Sequence, residues 1–299
     1  MNFPFYIARR YLFSKKKHNA INIISGISVC GVALATLALV CTLSVFNGFQ
    51  DMVASFFTAF DPQLKITVRE GKVFDAQDER IRAVCVLPEV EVFTETLEEN
   101  AMVQYKDRQA MVVLKGVEDN FEELTAIDSI LYGAGEFVLH DSIVNYGVMG
   151  VELVATLGTG LEFVDPLQVY LPKRNAKVNM ANPGASFNRD YLYSPGVVFV
   201  VNQQEYDGKY ILTSLDFLRQ LLDYTTEVSA MELKLKSNVN TSSVQSKIEN
   251  ILGDDFVVQN RYQQQADVFR IMEIEKLISY LFLTFILMIA CFFFFRECS

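Results

Sequence analysis

The chain has 299 residues, 51% of them hydrophobic, and a formal net charge of −10. A mean hydropathy of +0.21 is high for a fully water-soluble protein, so the apolar excess has to sit somewhere in particular. The acidic balance excludes nucleic acid as a general partner. Two histidines and the absence of any Cys-x-x-Cys spacing leave no basis for a metal centre built on those residues.

Phe3 to Phe13 carries aromatic residues on one side and Arg9 and Arg10 on the other, which suits a short helix lying at the cytoplasmic membrane interface. Residues 1–20 are therefore expected to be a cytoplasmic interfacial segment. Between His18 and Asp51 the chain has no charged residue. About 20 apolar residues cross roughly 30 Å of hydrocarbon, so 21–49 is expected as a first transmembrane helix. The basic collar Lys15–Lys17 before it places the N-terminus in the cytoplasm. The run is too long for a signal peptide and no small-x-small cleavage site follows it, so the helix is expected to be retained. Gly31, Ala35 and Ala38 form a small-residue face suited to close helix packing. A second uncharged run lies between Lys276 and Arg296. It is expected as a second transmembrane helix over 273–296, with a tail at 297–299.

Residues 50–272 then form an extracytoplasmic domain, periplasmic in a Gram-negative cell. Only Cys85 of the five cysteines lies in it, so it can hold no internal disulfide, and Cys85 is expected to be a buried helix residue. Gln63 to Val68 alternates as a strand, with Leu64, Ile66 and Val68 on one face. Asp75 can cap a helix carrying Ile81, Val84 and Cys85, which Pro88 ends. Val90 to Leu97 reads as a strand, and Ala101–Tyr105 with Ala110–Leu114 reads as a hairpin turning through residues 106–109. The order repeats near the far end. Met231, Leu233 and Leu235 alternate, and Asn240 or Thr241 caps a helix with Val244, Ile248, Ile251 and Leu252 on one face. Gly253 stops that helix, and Phe256 to Val258 begins another strand.

The two strand–helix–strand stretches are expected to pack into one α+β, membrane-proximal subdomain formed by 50–117 and 226–272. Residues 118–225 would be an inserted, β-rich subdomain, with strands such as Leu167–Leu171 and Val197–Val201. Between those strands, Pro172 to Arg189 is a basic, apolar-poor stretch in an acidic domain; it reads either as a functional loop or as a solvated hairpin tip. Neither a Gly-x-Ser-x-Gly, a His-Glu-x-x-His nor a Walker loop occurs, so no enzyme is expected and no catalytic residue is assigned. His140-Asp141-Ser142 is a chance adjacency, and the acid pairs Glu98-Glu99 and Asp254-Asp255 are expected in solvated turns.

Ala8-Arg9-Arg10-Tyr11-Leu12, Ile24-Ser25-Gly26-Ile27-Ser28, Gly31 to Val40 and Leu43 to Phe49 closely resemble the first membrane helix of the lipoprotein-releasing permeases. These are the LolC/LolE type within the MacB- and FtsX-like ABC transporter permeases. Asp61-Pro62-Gln63, Ser229 to Leu235 and Glu275-Lys276-Leu277 match the same pattern. The resemblance implies a MacB-like periplasmic core with an inserted part and a location in the inner membrane. It also implies a permease subunit that extracts lipoprotein and hands it to a periplasmic carrier. Expected partners are an ATPase subunit that binds ATP, a second permease subunit, the lipoprotein cargo, the carrier and membrane lipid; this chain would hold no cofactor.

Acyl chains would lie against Val40, Leu43, Phe46 and Phe49, opposite Leu281, Phe282 and Phe285. A projecting hairpin would grip the carrier, and Lys173, Arg174, Lys177, Pro183 and Arg189 are its candidates. Such permeases have four membrane helices, whereas this sequence ends at Ser299 after the second, which reads as a truncation or shifted frame. Alternatives are a two-span sensor with a periplasmic ligand-binding domain and a MacB/FtsX-like permease with other cargo.

Overall fold

The structure, a computed structural model, describes residues 19–54, 60–174, 186–264, 274 and 276–288. It divides into two compact units, 1–55 with 266–299, and 56–265. The interfacial helix expected over Phe3–Phe13 lies outside the described residues.

The first unit contains helix α1, Asn19–Ala54, and a helical stretch over 276–288. Its first sequence is free of proline and rich in Ala and Leu, both strong helix formers. The hydroxyls of Thr36 and Thr42 donate to the carbonyl oxygens of Val32 and Ala38, at 2.9 and 2.8 Å, which satisfies them within their own helix. Large apolar side chains such as Val29, Leu34, Leu37, Leu277 and Met288 are exposed. Among the described residues no helix is long and apolar enough to cross a membrane, so the two expected spans stand as a proposal.

The second unit is a mixed α/β fold. Its chain runs through β1 (Leu64–Val68), β2 (Phe74–Asp75), α2 (Glu79–Cys85), β3 (Val90–Tyr105) and β4 (Arg108–Val117). Next come α3 (Phe121–Leu124), β5 (Leu131–Gly133), β6 (Val148–Met149), α4 (Val151–Leu157), β7 (Leu167–Pro172) and β8 (Phe187–Leu192). Then follow β9 (Val197–Phe199), α5 (Gln204–Asp207), β10 (Tyr210–Ser214), α6 (Leu215–Leu222) and β11 (Glu227–Val228). The unit closes with β12 (Ala230–Leu235), α7 (Thr241–Leu252), β13 (Phe256–Asn260) and α8 (Arg261–Gln264).

The main sheet has the order β13-β1-β12-β3-β4-β10-β6, with β7 on β3 and β8 on β7. Pairs β13–β1, β1–β12 and β12–β3 are antiparallel. The two strand–helix–strand stretches therefore interleave as a split βαβ arrangement, with β12 lying between β1 and β3. Leu64, Ile66, Met231 and Leu233 face Ile81, Val84, Ile248 and Leu252 across an all-hydrocarbon core. Strand β3 spans 16 residues, roughly 50 Å at about 3.3 Å per residue. Its first half pairs with β12 and its second half with β7, while β4 runs along its other edge. Strands β7 and β10 attach to this ribbon, β8 and β6 attach to them, and β11 pairs with β2 instead.

Three expectations are corrected. The cap of α2 is Asp78, whose carboxylate accepts the Arg80 N–H at 2.8 Å; Asp75 is taken up by β2, pairing with Glu227. The second cap is Asn240, which accepts the N–H groups of Ser242 and Ser243 at 3.0 and 3.3 Å, and Gly253 ends α7 at φ +71° as expected. The expected break after Leu97 does not occur: β3 runs unbroken to Tyr105, and the hairpin turns in two residues, with Lys106 at φ +52°. Cys85 is half-buried at the end of α2, and burial pushes its thiol up to about 11.

Candidate functional site

The residues expected to face acyl chains fall in the helical unit. Val40 is 55% exposed, and Leu281, Phe282 and Phe285 are 68%, 64% and 57% exposed. Leu43 is half-buried. Phe46 and Phe49 have helical backbone, but their side chains lie outside the described residues, as does that of Ala35. Gly31 and Ala38 are half-buried, and a methyl group at Gly31 would meet nothing within 4 Å.

Of the candidate carrier residues, Arg189 lies on the β7–β8 hairpin, which pairs from Leu167↔Leu192 to Pro172↔Phe187, and Lys173 and Arg174 directly follow β7. Alternation sends Leu167, Val169, Leu171 and Leu192 into the core and leaves Phe187, Arg189 and Tyr191 exposed along the other face. Lys173 is exposed, and its N–H donates to the Ser186 carbonyl at 2.9 Å. Arg174 is partly engaged: its guanidinium lies 3.9 Å from Glu227 and 5.1 Å from the Tyr224 ring centroid. Backbone N–H groups of Thr225 and Thr226 hold the Glu227 carboxyl below the usual carboxylate range. Lys177 and Pro183 lie outside the described residues. The hairpin is fixed to the ribbon through Met102↔Tyr170 to Gln104↔Gln168.

A second cluster escaped the sequence reading. Even-numbered residues of β3 share a sheet face with Lys65, Glu232 and Lys115. On that face Lys115 Nζ lies 2.6 Å from Glu232 Oε1, with side-chain exposures of 2% and 1%. Glu98 Oε1 is 3.3 Å from Lys65 Nζ and 3.6 Å from Lys115 Nζ. The Lys115 ammonium stands 5.8 and 5.6 Å from the ring centroids of Phe60 and Phe121, within cation–π range. Burial opposes the charge on Lys65, but Glu98 and Glu232 outweigh it and hold the ammonium above its ordinary range. Burial likewise opposes ionisation of Glu98, and Lys65 and Lys115 outweigh it to keep the carboxyl low. The expectation that Glu98 is a solvated turn residue is thus overturned. Two acids and an asparagine in a row look like a turn, yet the first finds its cations on neighbouring strands. Glu99 pairs with Lys72 at 3.2 Å, and Asp254 and Asp255 do lie in a turn.

Two segments that carried the family resemblance meet beside this cluster. Asp61 is buried and accepts the Tyr206 hydroxyl at 3.2 Å, and its backbone oxygen accepts Arg261 Nε at 2.9 Å. Gln63 Oε1 accepts the Leu235 N–H at 2.6 Å, and Ser229 Oγ accepts the Glu98 N–H at 2.8 Å. Burial, then the Asp61 charge, pushes the Tyr206 phenol upward. These contacts clasp the two ends of the unit together. Elsewhere His140 bonds Asp119 at 3.1 Å, while Asp141 accepts the N–H groups of Ile143 and Val144. The trio His140-Asp141-Ser142 is a turn. Among the described residues no group of His, Cys, Asp and Glu could hold a metal ion.

The molecule is therefore a mixed α/β unit of acidic sequence flanked in the chain by apolar helical segments, with a hairpin standing on its central ribbon. In sequence it is similar along nearly its whole length to the lipoprotein-releasing permeases of the LolC and LolE type. The lipoprotein-releasing system transmembrane protein LolE of Haemophilus influenzae is 22% identical over 98% of this chain and 69% of its own length. LolC of Xylella fastidiosa is 22% identical over 96% of this chain and 67% of its own. LolC of Neisseria meningitidis is 25% identical over 96% and 68%. No family model matches the chain. Among solved structures, the periplasmic region of MacB from Actinobacillus actinomycetemcomitans superposes with a TM-score of 0.44 at 10% identity, covering 69% of this chain and 91% of that one. The extracellular domain of the transporter YknZ from Gram-positive bacteria gives 0.44 at 10%, over 66% and 99%.

Proposed function

We propose that this chain is a permease subunit of an ABC transporter that extracts lipoproteins from the inner membrane and passes them to a periplasmic carrier. In this reading α1 and the helix at 276–288 cross the bilayer, and 56–265 stands in the periplasm with 118–225 as an insertion in the split βαβ subdomain. ATP is bound by a separate ATPase subunit, and a second permease subunit completes the lipid slot. The observation that carries the reading is the similarity to LolC and LolE over 96–98% of the chain.

Physical chemistry supports each part. Val40, Leu281, Phe282 and Phe285 are exposed hydrocarbon, unfavourable in water and comfortable against lipid or an acyl chain. Each acyl CH₂ moved into water costs about 0.8 kcal/mol, so lipoprotein extraction demands both a dry slot and an external energy source. Lys173 and Arg174 are exposed, and the sequence from Pro172 to Arg189 is basic within an acidic unit, which suits a carrier with a negative rim.

A photocrosslinker at Phe46, in the chain assembled with its ATPase and second permease, is expected to capture lipoprotein acyl chains. Labelling by bulk phospholipid with no lipoprotein adduct would overturn the cargo. Charge reversal at Lys173, Arg174 and Lys177 is expected to abolish carrier capture with the fold intact, and unchanged affinity would remove the hairpin from the reading.

A further inference from the structure

The buried charges occupy an unusual place in the sheet. The local strand order is β1-β12-β3-β4, yet the closest ion pairs are not between neighbours. Lys65 on β1 reaches over β12 to Glu98 on β3. Glu232 on β12 reaches over β3 to Lys115 on β4. Lys65 and Glu232 are level with Thr94 of β3, and Lys115 is level with Glu98 further along it, so each pair runs diagonally across two strand spacings of about 4.8 Å, closed by the long Lys and Glu side chains. The two bridges overlap, and Lys115 also touches Glu98 at 3.6 Å, which ties them into one unit.

We propose that these interleaved bridges are a brace that fixes the bend and twist of the sheet where the β3–β4 ribbon leaves the split βαβ core for the second core. Below that level β3 is held by β12, up to Thr96; above it, from Met102, by β7. Between them, residues 97–101 of β3 have a backbone strand partner on the β4 side alone among the described strands; β3 is there the edge of a sheet that continues through β4 to β10, and a strand held from one side bends and twists more freely than one held from both. Glu98 and Lys115 sit in that gap.

Stability alone does not account for charges here. A buried ion pair is commonly no better than well-packed hydrocarbon of the same volume, and Glu232 Oε2 is buried without a hydrogen-bond partner among the described residues. Hydrocarbon contact is non-directional and tolerates sliding. A 2.6 Å charge-assisted hydrogen bond has one geometry. The charges thus specify an angle between the halves of the unit, and with it the direction of the β7–β8 hairpin. The inference holds whatever that hairpin grips.

The test uses the full chain with its own cysteines replaced and nitroxides at Asp107→Cys, on the ribbon tip, and Ser246→Cys, on α7. Pulsed electron spin resonance then reads the distance distribution between them. With the native charges a single narrow distance is expected. With Lys115→Met and Glu232→Leu combined, thermal stability is expected to hold or rise while the distribution broadens at least twofold. The less buried pair, Lys65→Met with Glu98→Leu, is expected to broaden it in the same direction and keeps the test open should the buried pair fail to fold. A distribution equally narrow in a folded variant, or one already broad with the native charges, would overturn the brace.

Discussion

The two faces of strands β1 and β12 differ far more in chemistry than in burial. One face carries Leu64, Ile66, Met231 and Leu233, all buried against α2 and α7. The other carries Lys65 and Glu232, and Glu232 is as thoroughly buried as the leucines. Period-2 alternation of apolar and polar residues ordinarily means one face in the core and one in water. Here both faces of the sheet are covered, because Phe60, Phe121 and the segments around them pack over the charged one. A polar face can be interior when its charges cancel in pairs.

That contrast can be broken from either side. The largest effect is expected for Lys115→Met alone, which leaves Glu232 charged, buried and unpaired. Urea denaturation should register a loss of about 3–5 kcal/mol. Adding Glu232→Leu should recover most of it; no recovery would mean that packing, and not charge, is at stake. On the hydrocarbon face Ile248→Ala, fully buried in α7, should cost roughly 2–5 kcal/mol, with no second substitution able to restore it in the same way. At the rim of that core Asn240→Ala removes the oxygen that accepts two N–H groups of the first turn of α7 and should cost about 1 kcal/mol.

The pH dependence sharpens the comparison further. Glu98 titrates below its ordinary value in the folded chain, so its contribution is present above the unfolded carboxylate range, near pH 4.3. It is lost as pH falls through the folded value. Lys65 titrates above its ordinary value, so its contribution is complete below about pH 10 and is lost as pH rises through the folded one. Glu98→Gln should therefore flatten the acid limb of a stability–pH curve measured by urea midpoint, and an unchanged limb would refute the pairing. The smallest effect belongs to the surface. Lys72, 77% exposed in its pair with Glu99, should change stability by less than about 0.5 kcal/mol when replaced by Ala.

Much of the split βαβ was legible because its signals are local. Alternation at 64–68, helical spacing at 244–252 and a cap–glycine pair around α7 each close within a dozen residues. The misplaced cap at Asp75 shows the limit of that reading: both Asp75 and Asp78 precede the helix, and only the pairing of β2 with β11 decides which is free to cap. The inserted region was less legible. Strands β5, β6 and β9 span two or three residues each, too short for any periodicity, and their partners lie tens of residues away. Of the candidate site, the hairpin and its exposed Arg189 could be seen from the basic stretch between two strands, whereas the engagement of Arg174 by Glu227 and Tyr224 could not.

By itself the sequence determined where hydrocarbon and charge are concentrated along the chain, which segments propagate as helix or strand, and which family the chain resembles, since each depends on neighbours within a turn or two. Tertiary structure decided that β3 is a single strand, that Glu98 is partly buried between two lysines and that two distant segments clasp the ends of the unit. The reason is physical: the energy of a charge is set by what lies within a few ångströms in space, and Lys65 and Lys115 reach Glu98, and Glu232 reaches Lys115, only once four strands have been laid side by side.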